Sequence, residues 1–121
     1  MDGKGMSYSK YRAQKTVVDG IVFDSKKEAK RYGELKLLEK AGEITDLATQ
    51  WPLELQAAFT DNQGNKQRAI NYVADFWYFD KKKKKWIIED VKGVRTTAYI
   101  MKRKMVLYFF QNDPSTIFLE T

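Results

Sequence analysis

The sequence predicts a single mixed α/β domain, an α+β sandwich in the order hairpin, helix, three strands, helix, strand. Three observations predict it. One stretch, residues 25–41, carries an apolar stripe at helical spacing, and a second, residues 96–110, carries a helix cap and a clear stop. β-branched and aromatic runs bounded by turn residues fill most of the remainder. A length of 121 residues with 43% hydrophobic content suits one core and one domain, spanning 1–121.

Residues 1–10 are rich in Gly, Ser and Lys without any period, and read as a basic arm. Thr16 to Phe23 places two β-branched runs around Asp19-Gly20. Asp and Gly tolerate the positive φ of a type I′ turn, so a hairpin is expected there. From Ser25 the period changes: Ala29, Tyr32, Leu35 and Leu38 form one stripe, and Gly42 is placed to end the helix in the left-handed conformation. Residues 44–59 and 67–79 read as strands separated by the polar segment 61–66. Pro52 lacks an N–H, so the first of these belongs at an edge or is broken there. Residues 86–91 form a third strand, which Gly93 ends. Thr96 or Thr97 can cap a second helix running to Phe110, Asn112-Asp113-Pro114 stops it, and residues 115–119 form a last short strand.

Composition removes many kinds of chemistry. There is no Cys and no His. Disulfides, thiolate nucleophiles, zinc fingers, imidazole bases and Ser-His-Asp triads are therefore excluded. Catalysis would fall to carboxylate, Lys, Tyr or hydroxyl groups, and a metal would be held by oxygen, which favours Mg²⁺ with Mn²⁺ as a substitute. No apolar run is long enough to span a membrane, so neither secretion nor insertion is expected. Lys and Arg number 22 against 16 Asp and Glu, a net charge of +6. Such a balance suits an anionic partner, nucleic acid first, although net charge alone also serves solubility.

The most informative residue is Asp75, set in the apolar run Tyr72-Val73-Ala74-Asp75-Phe76-Trp77-Tyr78-Phe79. A carboxylate there must find a backbone or lysine partner, or shift its pKa. Asp90 and Lys92 stand in the next apolar strand and project from one face, with Glu89 on the other. A hairpin whose turn centres on Lys82-Lys83 sets Asp80 against Lys85 and, counting back, Asp75 against Asp90. A register slip of one would part them. Like charges directly opposed are destabilising unless a cation lies between them. Glu28 is a third candidate at the start of the helical stripe. Ser25-Lys26-Lys27-Glu28 is also a capping-box pattern, and from the residues alone both roles stay open. Carboxylates and one lysine on a shared face form a device for metal-dependent phosphodiester hydrolysis.

These segments resemble a known family. Ala74-Asp75-Phe76 followed by Ile88-Glu89-Asp90-Val91-Lys92-Gly93 looks like the split motif of the PD-(D/E)XK nuclease superfamily. Nearly the whole chain from Lys10 onwards, with Val18 to Tyr32 and Tyr99-Ile100-Met101-Lys102-Arg103-Lys104, resembles its small phage and prophage endonucleases. The resemblance implies a restriction-endonuclease-like α-β-β-β-α-β core behind the N-terminal hairpin. It implies catalytic roles for Glu28, Asp75, Asp90 and Lys92, with Asp75, Asp90 and Glu28 as metal ligands. Ala74 stands where the superfamily name has Pro. The implied activity is Mg²⁺-dependent cleavage of DNA, selective for branched or junction structures or non-specific, by a homodimer in the cytoplasm of a bacterial host.

Lys82, Lys83, Tyr99, Lys102 and Arg103 are candidate DNA contacts, with solvated surface as the competing reading. Trp51, Trp77, Trp86 and Tyr108-Phe109-Phe110 are expected in the core or at a dimer contact. The rival functions are a non-catalytic basic nucleic-acid-binding module, whose acid cluster would be structural, and a phage assembly protein.

Overall fold

The computed structural model describes residues 14–91, 93 and 95–121. The expected basic arm over residues 1–10 and the candidate Lys92 both lie outside the described residues.

The chain opens with β1 (Thr16–Val18) and β2 (Ile21–Phe23), which pair antiparallel. Asp19 and Gly20 join them with φ of 53° and 77°, the doubly positive turn expected from Asp-Gly. Helix α1 (Lys26–Lys40) follows, capped by the Ser25 hydroxyl, which accepts from the Glu28 N–H at 3.1 Å. Gly42, at φ 79°, lets the chain reverse after it. Its N–H donates to the Glu39 carbonyl while that of Glu43 donates to the Leu38 carbonyl, which satisfies two of the helix's terminal acceptors.

Strand β3 (Ile44–Gln56) is followed by a separate two-stranded ribbon, β4 (Phe59–Thr60) with β5 (Lys66–Gln67). Then come β6 (Ile70–Asp80), β7 (Lys85–Asp90), α2 (Thr97–Phe109) and β8 (Thr116–Glu120). The main sheet has the order β3-β6-β7-β8. β3, β6 and β7 are antiparallel, and β8 returns parallel to β7, with α2 serving as the crossover such a connection needs.

Two strand limits are corrected, and the edge position allowed for the Pro52 strand is the one found. The strand expected over 44–59 ends at Gln56, and the one expected over 67–79 starts at Ile70, because the residues between fold back as the ribbon. The Asp61 carboxylate nucleates that ribbon by accepting the N–H groups of Gln63 and Asn65, both at 2.9 Å. Pro52 does not break β3. It lies within it, and β3 is an edge strand, where a missing donor is tolerated.

Two apolar clusters form on opposite faces of the sheet, since the adjacent residues Ile87 and Ile88 belong to different ones. The first joins α1, through Ala29, Tyr32 and Leu35, to Phe23, Ile44, Phe76, Tyr78 and Ile87. The second joins Val106 of α2 to Tyr72, Ala74 and Ile88. Trp51, Trp77 and Trp86, one from each of β3, β6 and β7, stack in a ladder with centroids 4.4 and 4.7 Å apart and rings within 8° of parallel. No helix among the described residues is long and apolar enough to cross a membrane.

One ionic group is locked into the first face. Glu89 is 0% exposed. Its carboxylate accepts from Arg31 Nε at 2.5 Å and Nη2 at 3.0 Å, from the Tyr78 hydroxyl at 2.5 Å and from the Thr121 hydroxyl at 3.0 Å. Removing one partner of a buried pair strands the other charge and costs about 3–5 kcal/mol. Arg31→Ala is therefore expected to lower unfolding stability by that order, whereas Lys36→Ala, at an exposed pair with Glu39, shifts it far less. Chemical denaturation of the two variants checks this; equal losses would show that the Glu89 pair does not anchor α1.

Candidate active site

Strands β6 and β7 are joined by the turn 81–84, with Asp80 paired to Lys85 and the register continuing to Phe76 and Glu89. The ladder pairing ends there, one step short of the Asp75–Asp90 pair that the lysine-turn register predicts. At that step the ladder changes character. The Val91 N–H donates to the Asp75 carboxylate at 2.7 Å, so a side chain takes the place of a strand partner.

The irregularity has a backbone cause. Strict alternation would put Tyr72, Ala74, Phe76 and Tyr78 on one face. Instead Tyr72 and Ala74 pack with the α2 cluster while Phe76 and Tyr78 pack with the α1 cluster. The change of face falls at Asp75. Across from it, Gln50 adopts φ 50°, and the pairing of β3 with β6 passes from Thr49–Phe76 to Trp51–Ala74 around it. Both strands thus change face together and keep register. Strand irregularities of this kind re-aim side chains beside active sites. The Gln50 amide holds the spot by donating to the Val22 carbonyl at 2.9 Å, which ties β3 to the hairpin.

Glu28 reaches the same place from α1. Its backbone N–H is capped by Ser25, and its carboxyl interacts with the Ser25 hydroxyl and with Asp75. The cap expected at Ser25 forms, and the Glu28 carboxyl also reaches Asp75. Asp90 is 8% exposed and its carboxyl interacts with that of Asp75. Three acidic side chains from α1, β6 and β7 therefore meet.

Their electrostatics follow from that crowding. Burial first, then the charge of Asp90, push the Asp75 carboxyl up to about 8, despite the opposing Val91 N–H. Burial, then the charge of Asp24, raise Glu28 as well. At neutral pH Asp75 carries a proton, which allows a carboxyl–carboxyl hydrogen bond. Among the described residues, no three acidic groups are arranged as a ready-made metal-holding set.

The expected DNA contacts are dispersed. Lys82 and Lys83 lie at the far end of the β6–β7 hairpin, five strand residues from the carboxyls, or roughly 17 Å at ~3.3 Å per residue. Arg103 donates to Glu120 at 3.0 Å and lies over the Phe118 ring, and the Tyr99 hydroxyl also donates to Glu120. Lys102 is only partly exposed on α2. Phe110 packs beside the second cluster, but Tyr108 is 74% exposed and Phe109 is exposed too, which removes the core alternative for those two and leaves the dimer-contact one.

Tyr72 has no place in the sequence-based list. Its hydroxyl is buried beside Asp90 and Asp75, and burial followed by the charge of Asp90 raises its pKa above the ordinary phenol range. Alternation assigns Tyr72 and Asp75 to opposite faces, so only the change of face brings them together. No local sequence signal reports that.

A family model described as "Protein of unknown function (DUF1064)" matches residues 8–118. The chain belongs to the DUF1064 family. No curated protein and no solved structure shows a significant match.

The carboxyl cluster makes a definite statement about stability in this DUF1064 chain. An unfolded Asp titrates near roughly 3.9. The native Asp75 titrates near about 8, so its stabilising contribution is complete below the unfolded value and is lost as pH rises through the native one. In cation-free buffer Asp75→Asn, which mimics the protonated form, should melt above wild type at pH 8, and the gap should close towards pH 4. A gap independent of pH would remove Asp75 from the coupled cluster.

Proposed function

We propose that this protein is a metal-dependent deoxyribonuclease. The observation that carries the reading is the closeness of the Asp75 and Asp90 carboxyls just beyond the last paired residues of an apolar hairpin, with Glu28 brought to them from a helix. Folding gathers acidic groups at a point where their mutual repulsion and burial raise two of their pKa values. Buried titratable groups that raise one another's pKa values mark functional sites. The resemblance of the Asp75 and Asp90–Gly93 segments to the PD-(D/E)XK motif points the same way.

The donor set is all oxygen and acidic, which fits Mg²⁺ or Mn²⁺. Asp75, Asp90 and Glu28 would hold the cation. When bound it supplies Lewis-acid polarisation of the phosphodiester and a more acidic attacking water. The residues do the rest. Asp75 would serve as a carboxylate ligand, its proton released to solvent. The Val91 N–H keeps one Asp75 oxygen fixed, which orients the other. Lys92, two residues after Asp90, supplies the positive charge that stabilises the negative charge developing on the phosphate. Arg31 and Glu89 hold α1, and hence Glu28, against β7.

The substrate in this reading is the DNA backbone, cut by structure or without selectivity. A homodimer matches symmetric cleavage of a junction, and the exposed Met101, Tyr108 and Phe109 of α2 are the apolar surface it would cover. Lys82 and Lys83 would contact phosphates away from the scissile one.

Two outcomes are expected. On supercoiled plasmid and on a synthetic four-way junction, wild type should cut in Mg²⁺ and not in EDTA, while Asp90→Asn should fold and not cut. Salt-sensitive binding without cleavage in Mg²⁺ or Mn²⁺ would instead favour the non-catalytic binding module. Separately, the Lys82→Ala and Lys83→Ala exchanges should each reduce the slope of log affinity against log salt by about 0.9. An unchanged slope would place those lysines off the DNA.

A further inference from the structure

The Tyr72 hydroxyl stands apart from the other polar groups around the cluster. The side chain is 4% exposed and, among the described residues, its oxygen makes no hydrogen bond of normal geometry. A buried hydroxyl left unpaired loses its hydration without a replacement partner and is destabilising. Native structures keep few such groups, and those they keep call for an explanation. Phe in place of Tyr would fill the same space beside Ala74, Ile88 and Val106 without that cost.

The surroundings supply the explanation. The charged neighbours that act on the Tyr72 hydroxyl are Asp90 first, with Asp75 behind it, and the Tyr99 phenol lies nearby as well. Asp90 interacts with it without closing a bond of normal length and angle. Asp90 is meanwhile engaged with Asp75. An O–H beside a carboxylate that is occupied elsewhere is a donor waiting for that carboxylate to turn. We infer that Tyr72 is a positioning residue for Asp90: its hydroxyl donates to the Asp90 carboxylate once that group leaves Asp75 to bind a divalent cation, and so fixes its orientation.

This rests on the carboxyl cluster being the cation site proposed above. It adds a residue that neither touches the cation nor meets substrate. Groups that hydrogen-bond a metal-ligating side chain are commonly worth 10–100-fold in metal affinity.

The test is calorimetric titration of Mn²⁺ into wild type, Asp90→Asn and Tyr72→Phe, with the cation-free melting temperature of each. Wild type should bind and Asp90→Asn should not. Tyr72→Phe should bind about ten-fold or more weakly while melting at or above the wild-type temperature, because it loses an unpaired donor. Wild-type affinity in Tyr72→Phe would overturn the assignment and leave the cation site standing. Weaker binding together with a lowered melting temperature would overturn it in favour of a packing role. Failure of wild type to bind Mn²⁺ would overturn both. Should Tyr72→Phe not fold, 3-fluorotyrosine at position 72 alone gives a second readout: its ¹⁹F resonance should shift on adding Mg²⁺, and a fixed resonance would overturn the proposal.

Discussion

The fully buried Glu89 carboxylate sets the geometry of everything around it. A charge at that depth is tolerable only when every lone pair is answered, and Arg31, Tyr78 and Thr121 answer them. Arg31 sits on α1, so the helix must lie where its guanidinium forks onto the carboxylate. Glu28 is three residues earlier on the same helix. Asp90 is the next residue on the strand and projects from the other face. One satisfied ion pair therefore fixes the separation of two groups that repel each other, which neither could fix alone.

The contrast between Glu89 and its neighbour is instructive. Two consecutive acids share a strand and nearly complete burial. The one on the α1 face is matched by a cation and by hydroxyls. The one on the α2 face lies beside the Asp75 carboxyl and the Tyr72 and Tyr99 phenols. The same backbone thus delivers two buried carboxylates into different surroundings, and the difference lies in which face each meets.

Much of this was legible in the sequence because it is local. Asp19-Gly20 dictated its turn, Ser25 its cap and Gly42 its reversal. The Ala29-Tyr32-Leu35 stripe gave the buried side of α1, and the length of the lysine turn set the register of β6 against β7 that leads to Asp75 and Asp90. The rest depends on distant partners. Arg31 and Glu89 are 58 residues apart and carry no shared pattern. The ribbon at Phe59–Gln67 is two residues per strand, too short for alternation to register. The change of face at Gln50 and Asp75 defeated the period-2 rule, and it hid Tyr72. Arg103 and Tyr99 looked like free DNA contacts because Glu120, their partner, lies at the far end of the chain.

The tryptophan ladder carries a last consequence. Indoles stacked in parallel at under 5 Å share their electronic excitations, and this ladder takes one ring from each of three adjacent strands. The protein consequently contains its own chromophore for sheet register. Any slip of β3, β6 or β7 past its neighbour would part the rings and uncouple them. The alignment that brings Asp75 close to Asp90 can thus be followed by light, without a label and without touching the site.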